Sequence, residues 1–294
     1  MMKGIDEMEQ VKSVKKFGKF AGVLGVVSMS VALLIPQQNE AHAVGSFPYD
    51  GLNSNNSNQA LSYAKQFSNS DLSINQVKDP KGSGYEAVGR VSNMDGWKGS
   101  GKDSMGTGFI VDDHTFITNA HVVETKDGNQ AKPQYVKLVT ERNGDDKKYT
   151  FNAKSIKQVP GADAVVIHTR QNMGRLVEPL KLASEKNIND TKFGETIKSP
   201  GYNIVKNGDN TRLWESKGKA LMTTSNGKEL MNKQIFRSGG SGSPMLTSDN
   251  QVLGIMAYGY SLNGQGGYAE ADQELSGGFK FTGTTRDFIE KNLK

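Results

Sequence analysis

The sequence predicts an all-β protein of two antiparallel β-barrels packed side by side, followed by one C-terminal helix. Short apolar runs are separated by turn-forming Gly, Asn and Ser, and 34 glycines among 294 residues make such turns frequent. The strand-like runs are evenly spaced along the chain, which is typical of barrels. The one clear helical pattern lies at the C-terminus.

The first 43 residues have the organisation of an export signal. Four lysines between positions 12 and 19 precede an apolar run over residues 20–35, Pro36 ends that run, and Ala41-His42-Ala43 is a small-x-small cleavage site. The apolar run is short for a membrane span. We therefore expect a secreted, extracellular protein with no stable membrane association after signal cleavage; an uncleaved anchor is the alternative.

Residues 44–80 are rich in Asn, Ser and Gln and poor in apolar side chains. The run over residues 53–58 offers too little apolar surface to order itself. We predict a flexible leader or propeptide here, with a solvated tail as the alternative. The first residue of the active form stays open, because Val44 and a cut near Phe67 to Leu72 are both candidates.

The first barrel is predicted over residues 81–180. Its strand-like runs are Glu86–Val91, Thr107–Val111, Tyr135–Val139 and Ala164–His168. The polar, irregular stretch over residues 172–192 is interpreted as the linker between the barrels.

The second barrel and the helix are predicted over residues 181–294. The strand-like runs are Thr211–Trp214, Lys219–Met222, Gln251–Tyr258 and Gly278–Phe281. The helix is expected over residues 285–293, because Phe288, Ile289 and Leu293 then share one face and Thr284 or Thr285 can cap its start.

Composition excludes several classes of function. The chain has no cysteine, so the fold must depend on core burial without disulfides, which its length permits. The formal charge of +5 is mild, and the sequence has no basic stripe in which aromatic residues are interleaved. Nucleic-acid binding is therefore not indicated. The chain lacks both cysteine and a His-x-x-x-His spacing, so the sequence does not indicate a metal site, and we expect neither a metal nor a cofactor. We also expect a monomer.

A serine between glycines is the candidate nucleophile. Ser241 lies in the run Ser238-Gly239-Gly240-Ser241-Gly242-Ser243-Pro244, ahead of a strand-like run. Small neighbours allow a tight turn, and the backbone N–H groups of Gly239 and Ser241 are candidates for an oxyanion hole. A flexible Gly/Ser linker is the alternative, and Pro244 argues against it. The α/β-hydrolase elbow is excluded, because it requires Gly where Ser243 stands.

His121 is the candidate general base. Of four histidines, His42 leaves with the export signal and His114 lies in a polar turn. His168 ends a strand and is expected to face solvent or to cap the core. His121 directly follows an apolar strand-like run, and no metal-ligand spacing competes for it.

Asp163 is the candidate partner of that histidine. It opens an apolar strand directly after Pro160-Gly161-Ala162, where a carboxylate is partly buried and requires a donor. A histidine ring N–H is such a donor, and the pairing fixes the tautomer. A turn-forming Asp is the alternative. The order His, Asp, Ser predicts nucleophilic catalysis, because a serine hydroxyl reacts poorly until a base takes its proton.

Four segments resemble the chymotrypsin-fold serine proteases, in particular the secreted staphylococcal glutamyl endopeptidases and their exfoliative-toxin relatives. The segments are Thr118–Val123, Gly161–Asp163, Leu213–Lys219 and Gly239–Pro244. The resemblance covers residues 85–294 and implies two six-stranded barrels with the site between them. It implies a serine endopeptidase that cleaves a protein or peptide substrate, with His121 and Asp163 from the first barrel and Ser241 from the second.

Three positions depart from the family's pattern. Gly240 stands before the nucleophile, where the family usually has Asn. The glutamyl enzymes have a His on the strand after the nucleophile and a Thr or Ser shortly before it. When positions are counted without gaps from Ser241, Met256 stands at the His position and Phe236 at the Thr or Ser position. An ionised glutamate against these side chains would lose hydration without compensation. We therefore predict a specificity pocket of Phe236, Met256 and Tyr258 for apolar residues, and a protease that is not strictly Glu-specific.

Two alternatives stay open. A positive charge from Arg237, Lys219 or the new N-terminus would restore a preference for Glu. An exfoliative-toxin-like protein would act on or bind one host surface protein, with the Gly-rich, acidic loop from Ser261 to Gly278 as a recognition surface, unless that loop is a solvated hairpin.

Overall fold

Thirteen strands and three α-helices occur in the parts of the chain that the computed structural model describes, residues 47–205, 208–261 and 274–294. The strands are β1 Ser73–Gln76, β2 Val88–Asn93, β3 Ser104–Asp112, β4 Thr115–Thr118, β5 Val136–Asn143, β6 Asp146–Gln158, β7 Val165–Thr169, β8 Thr196–Gly201, β9 Trp214–Thr223, β10 Glu229–Lys233, β11 Pro244–Leu246, β12 Val252–Ser261 and β13 Glu274–Lys280. The helices are α1 Ser54–Ala64, α2 Glu185–Asn189 and α3 Gly283–Lys291.

Six antiparallel strands close the first barrel in the order β2-β3-β4-β7-β6-β5. Its core consists of branched and aromatic side chains that are fully buried, among them Val88, Val91, Phe109, Ile117, Leu138 and Ile167. Side chains of this type favour strands and fill a small barrel without leaving a channel.

Six strands form the second barrel in the order β9-β10-β13-β12-β11-β8, and pairing between β8 and β9 closes it. The short strand β1 pairs with the start of β9 and adds a seventh strand to the sheet. The predicted all-β fold of two six-stranded antiparallel barrels with a C-terminal helix is thereby confirmed.

The last helix joins the two barrels. It begins at Gly283 with Thr282 in the capping position, so the sequence placed its start two residues too late. Ile289 is fully buried, and the end of the helix reaches the first barrel. There the Asn292 carbonyl lies 2.7 Å from His168 Nε2, and Lys157 donates to the Asn292 side chain at 2.7 Å.

The prediction of a flexible leader is wrong for residues 47–80, which are folded against the second barrel. Asn53 caps α1 by accepting from the Asn56 backbone N–H at 2.9 Å. Small side chains at Ala60 and Ala64 let the helix pack closely on Leu221, Met231 and Leu275. The stretch orders because its few apolar residues share one helix face and its buried Asn has hydrogen-bond partners. A role as propeptide stays a prediction.

The predicted polar linker is a packed segment. Met173, Val177 and Leu180 are buried in it, and α2 lies near its end. The predicted export signal, residues 44–46 and most of the Ser261–Gly278 loop lie outside the described residues. In the portion that is described, no helix combines the length and the apolar character needed to cross a bilayer.

Candidate active site

His121 and Asp163 are joined by a hydrogen bond at one end of the first barrel. β4 and β7 are paired strands, with Thr118 opposite Val165, so the residues just beyond them meet. Nδ1 of His121 is 2.6 Å from Oδ2 of Asp163, and the His121 backbone N–H donates to Oδ1 at 3.1 Å. This contact favours the tautomer that carries a proton on Nδ1 and directs Nε2 away from the carboxylate.

Asp163 is completely buried and surrounded by donors. The hydroxyl of Tyr49 donates to Oδ2 at 2.6 Å, and the Asn119 side chain donates to the Asp163 backbone carbonyl at 2.6 Å. Burial acts to raise the pKa of this carboxyl, but the charge and hydrogen bonds of His121 and the bond from Tyr49 outweigh it and leave the pKa below its usual value. Asp163 is therefore ionised at neutral pH.

The loop around Ser241 turns sharply and is tied to the first barrel. Gly239 has φ +87° and Gly242 has φ +88°, in the left-handed region that favours glycine. A Cβ on Gly242 would lie 2.0 Å from the Thr107 carbonyl oxygen, so only glycine fits there. The Thr107 backbone N–H donates to the Ser241 carbonyl at 2.8 Å, and the Thr107 hydroxyl donates to the Gly239 carbonyl at 2.8 Å.

These contacts bring Ser241 beside the turn that carries His121. Gly106 of β3 lies between the Val122 side chain and the Ser241 backbone. A Cβ built on this glycine would lie 2.6 Å from Val122 Cγ2 and 3.0 Å from the Ser241 carbonyl oxygen, so both groups pack closely on it. Val122 is the residue directly after His121, and Ser241 is partly exposed to solvent. The Ser241 carbonyl and the residue after His121 thus lie against the same glycine of β3, which brings the serine loop and the His121 turn together.

The backbone of the serine loop presents two N–H groups. The N–H groups of Gly240 and Gly242 donate to the Arg237 and Met256 carbonyls at 2.9 and 3.0 Å. Within residues 47–205, 208–261 and 274–294, the N–H groups of Gly239 and Ser241 have no acceptor. Two unpaired N–H groups on either side of a glycine are what an oxyanion hole requires.

A family profile described as a trypsin-like peptidase domain matches residues 106–255, just over half of the 294 residues. The chain belongs to the trypsin-like peptidase family. The match spans His121, Asp163 and Ser241 in that order. Membership of this family makes the chain a serine endopeptidase.

Solved proteases share the fold of this peptidase. A Glu endopeptidase in complex with MPD has a TM-score of 0.58 at 24% identity, over 74% of this chain and 95% of that chain. The thermostable protease AL20 from an extremophilic microorganism has a TM-score of 0.54 at 14% identity, over 70% and 96%. Anisep from Arthrobacter nicotinovorans has a TM-score of 0.52 at 16% identity, over 69% and 93%. At these identities the similarity shows the fold alone.

The three residues predicted to line the specificity pocket of the peptidase lie in different surroundings. The ring of Phe236 is close to the serine loop, because a Cβ on Gly240 would lie 3.1 Å from Phe236 Cε2. Met256 is fully buried, and its sulfur lies 3.9 Å from the Asn232 amide. Tyr258 is 7% exposed and donates its hydroxyl to Glu229 at 2.8 Å. Phe236 approaches the serine loop with its ring, whereas Met256 contacts the loop through its backbone, which accepts from the Gly242 N–H at 3.0 Å and donates to the Ser243 carbonyl at 2.8 Å.

Arg237, one of the cations that could attract an acidic substrate, is paired with Glu274. Its Nη2 and Nη1 atoms lie 2.7 and 2.8 Å from the two carboxylate oxygens, and the Phe236 backbone N–H donates to the same carboxylate at 3.2 Å. Glu274 is 3% exposed. It therefore faces Arg237 and is too buried to form part of a recognition surface, while residues 262–273 of the acidic loop lie outside the described residues.

His168, which lies on a strand of the first barrel, has structural surroundings. His168 is buried on β7, and its two ring nitrogens lie 3.1 Å from Ser155 Oγ and 2.7 Å from the Asn292 carbonyl. Burial lowers its pKa. This pair belongs to the wall of the first barrel and to the docking of α3, so it is separate from the Ser241 loop. No cluster of metal-binding side chains occurs among the described residues.

Sequence reasoning missed two residues that shape the site. Thr107 lies in a predicted strand, but nothing in its surroundings marks the contacts of its hydroxyl with the serine loop. Tyr49 lies in the predicted leader, 114 positions before Asp163. The available signal was Phe47-Pro48-Tyr49, an aromatic cluster at odds with the polar composition that follows it.

Proposed function

We propose that this peptidase is a secreted serine endopeptidase with the triad His121, Asp163 and Ser241. The observation that carries the proposal is the 2.6 Å bond between His121 and the buried Asp163, beside a glycine-bounded serine. This arrangement supplies a nucleophile, a base and a group that orients the base.

The reaction follows from the chemistry of these groups. Ser241 Oγ attacks the substrate carbonyl carbon while His121 Nε2 takes the hydroxyl proton. His121 then returns that proton to the leaving amine, which leaves an acyl-enzyme on Ser241. Water attacks the ester with His121 again as base, releasing the acid and restoring the serine. Asp163 stabilises the imidazolium in each half-reaction.

The N–H groups of Gly239 and Ser241 would bind the oxyanion that forms in each attack. Their lack of an acceptor among the described residues supports this role. The loss of one such donor typically costs about 3 kcal/mol of transition-state stabilisation.

For specificity we propose a preference for apolar residues, and not for Glu, on the acyl side of the cleaved bond. The ring of Phe236 against the serine loop supports an apolar contact there. The pairing of Arg237 with Glu274 supports the absence of a net positive charge. Met256 and Tyr258 complete the proposed pocket.

The proposal also covers the extracellular location of the protein and its place within the trypsin-like peptidases. The export-signal pattern over residues 1–43 supports an extracellular location. The motif resemblance, together with the shared fold of a solved Glu endopeptidase, supports a place near the staphylococcal glutamyl endopeptidases and exfoliative toxins. We extend to this chain the endopeptidase chemistry of that group but not the preference for Glu.

An organofluorophosphate label tests the nucleophile. We expect one equivalent of label on Ser241 in the mature protein, with loss of cleavage of denatured protein substrates. S241A should lose both, and S248A, which changes an exposed serine, should retain both. A wild-type protein that neither reacts with the label nor cleaves any protein would refute the proposal.

A peptide-library cleavage profile tests the specificity. Dominant cleavage after apolar residues is expected. Dominant cleavage after Glu would refute the apolar pocket while leaving the triad intact.

A further inference from the structure

The hydroxyl of Tyr49 contacts the carboxylate of Asp163 from outside both barrels. It donates to Oδ2 at 2.6 Å, the same oxygen that lies 2.6 Å from His121 Nδ1. Tyr49 comes from the segment before α1, and it is itself 7% exposed. A phenol therefore reaches the same buried carboxylate oxygen as the Nδ1 side of the imidazole.

The second barrel holds Tyr49 in place. Its ring packs on the rings of Tyr258 and Phe279, with centroids 5.0 and 6.0 Å apart. The next two backbone N–H groups, of Asp50 and Gly51, donate to the two oxygens of Glu229 at 2.6 and 3.0 Å. A Cβ on Gly51 would lie 1.9 Å from the Tyr258 hydroxyl, so the register of the segment is fixed.

The phenol stays protonated, and it is the donor in this contact because the ionised carboxylate can only accept. Burial raises its pKa well above the usual value, and the neighbouring carboxylates of Asp163, Glu229 and Glu124 raise it further. Tyr49 thus keeps its proton over the working range of any protease. Its contact with Asp163 is a hydrogen bond to a charged acceptor, which is stronger than one between neutral groups.

We propose that Tyr49 is a positioning residue of the triad, which holds the Asp163 carboxylate against His121 from the N-terminal segment. The inference rests on the proposed function of His121, Asp163 and Ser241. Oδ1 accepts from the His121 backbone, and Oδ2 accepts from the His121 ring and from Tyr49. With three donors the carboxylate plane is fixed, and the imidazole keeps one orientation. The segment over residues 47–52, which belongs to neither barrel, thereby contributes to catalysis.

Y49F tests the inference, because it removes the hydroxyl and keeps the ring that packs on Tyr258 and Phe279. We expect kcat to fall about tenfold with KM unchanged, since a lost hydrogen bond to a charged group is worth roughly that factor. The acidic limb of the pH profile of kcat/KM should move to higher pH, because a carboxylate with fewer donors holds the ring proton of His121 more tightly. The downfield NMR signal of the His121 Nδ1 proton should titrate in the same direction.

Y85F is the matched control. Tyr85 is also buried, its hydroxyl donates to the carboxylate of Glu215, and burial likewise raises its pKa. Y85F should lose stability without changing kcat or the pH profile. A Y49F enzyme whose kcat, pH profile and His121 signal match those of the active wild type would overturn the inference alone. A wild-type protein without cleavage or labelling would instead overturn the proposed function, and the NMR titration would still report on the Tyr49 contact.

Discussion

At the scale of single residues, Asp163 illustrates how a charge is kept inside a barrel. It has no exposed surface, yet its pKa lies below the usual value because donors from His121 and Tyr49 offset the cost of burial. A carboxyl whose folded-state pKa is lowered stabilises the fold above about pH 4, and that contribution is lost as the pH falls through the lowered value. Asp163 is therefore a stabilising charge as well as a candidate catalytic group.

D163N tests the catalytic role of this carboxylate. The amide is similar in size but cannot stabilise an imidazolium, and it favours the wrong tautomer of His121. We expect kcat to fall about 10⁴-fold, the loss typical of this change in a Ser-His-Asp triad. Steady-state kinetics with a peptide substrate measure it. D190N, which changes an exposed carboxylate on the surface, should have wild-type rates, and a D163N enzyme with such rates would contradict the assignment.

E274Q tests whether Glu274 suppresses recognition of acidic substrates. The change keeps the size of the side chain and removes the carboxylate charge that Glu274 places against the Arg237 guanidinium. Cleavage after Glu should rise about tenfold relative to cleavage after apolar residues, because an attraction of roughly 1.4 kcal/mol is enough for that factor. Cleavage profiles of wild type, E274Q and the surface variant E290Q measure the change. Equal profiles for all three would show that Arg237 does not contact the substrate.

Sequence reasoning could predict the candidate triad because each member lies in a short, recognisable context. Asp163 stands between a turn and an apolar strand, and Ser241 stands between glycines. Tyr49 could not be predicted in this way. Its role depends on a contact with Asp163, and no local pattern encodes a partner so distant in the chain.

At the scale of elements, the Asn- and Ser-rich stretch before β1 departs most from what its composition predicts. Composition predicts disorder for residues 53–58, but Asn56 and Ser57 are buried at the start of α1. The helical spacing of Ser57, Ala60, Leu61 and Ala64 is the signal that outweighs composition here. The average polarity of the stretch does not predict whether it is ordered, because a helix as short as α1 needs only one narrow apolar face to pack on the barrel.

N56A tests how α1 is attached. The Asn56 side chain donates to the Asp50 carbonyl at 2.9 Å and accepts from the Ser225 backbone N–H at 3.1 Å. Removing it breaks these partly buried hydrogen bonds, which tie α1 to the turn before it and to Ser225, and should lower the free energy of unfolding by about 1 to 2 kcal/mol. Urea denaturation measures the loss. N55A, an exposed neighbour in the same helix, is the control, and equal stability of the two variants would contradict this attachment.

At the scale of the whole molecule, Thr107 connects the two barrels at the site. Its backbone N–H and hydroxyl hold the serine loop, and its hydroxyl accepts from the Tyr202 backbone N–H at 2.9 Å. The barrels themselves were predictable because turn spacing and strand patterns are local. The connection between them was not, since it depends on how two finished barrels meet.

T107V tests this connection. Valine fills nearly the same volume but leaves the Gly239 carbonyl and the Tyr202 N–H without partners. The free energy of unfolding should fall by about 2 to 4 kcal/mol, and kcat should fall at least about tenfold because Gly239 carries a proposed oxyanion donor. Denaturation and steady-state kinetics measure both. T150V, an exposed threonine on β6, should change neither, and a T107V protein with wild-type stability and kcat would contradict the role of the hydroxyl.

The anchoring of Tyr49 limits how far the peptidase can be trimmed during maturation. A chain that starts near residue 70 would keep both barrels and every residue of the proposed triad, but it would lose the phenol that braces Asp163. Proteolytic processing that leaves full activity must therefore stop before residue 49. Cleavage only a few positions further along the chain would yield a folded enzyme with a complete triad but lower activity.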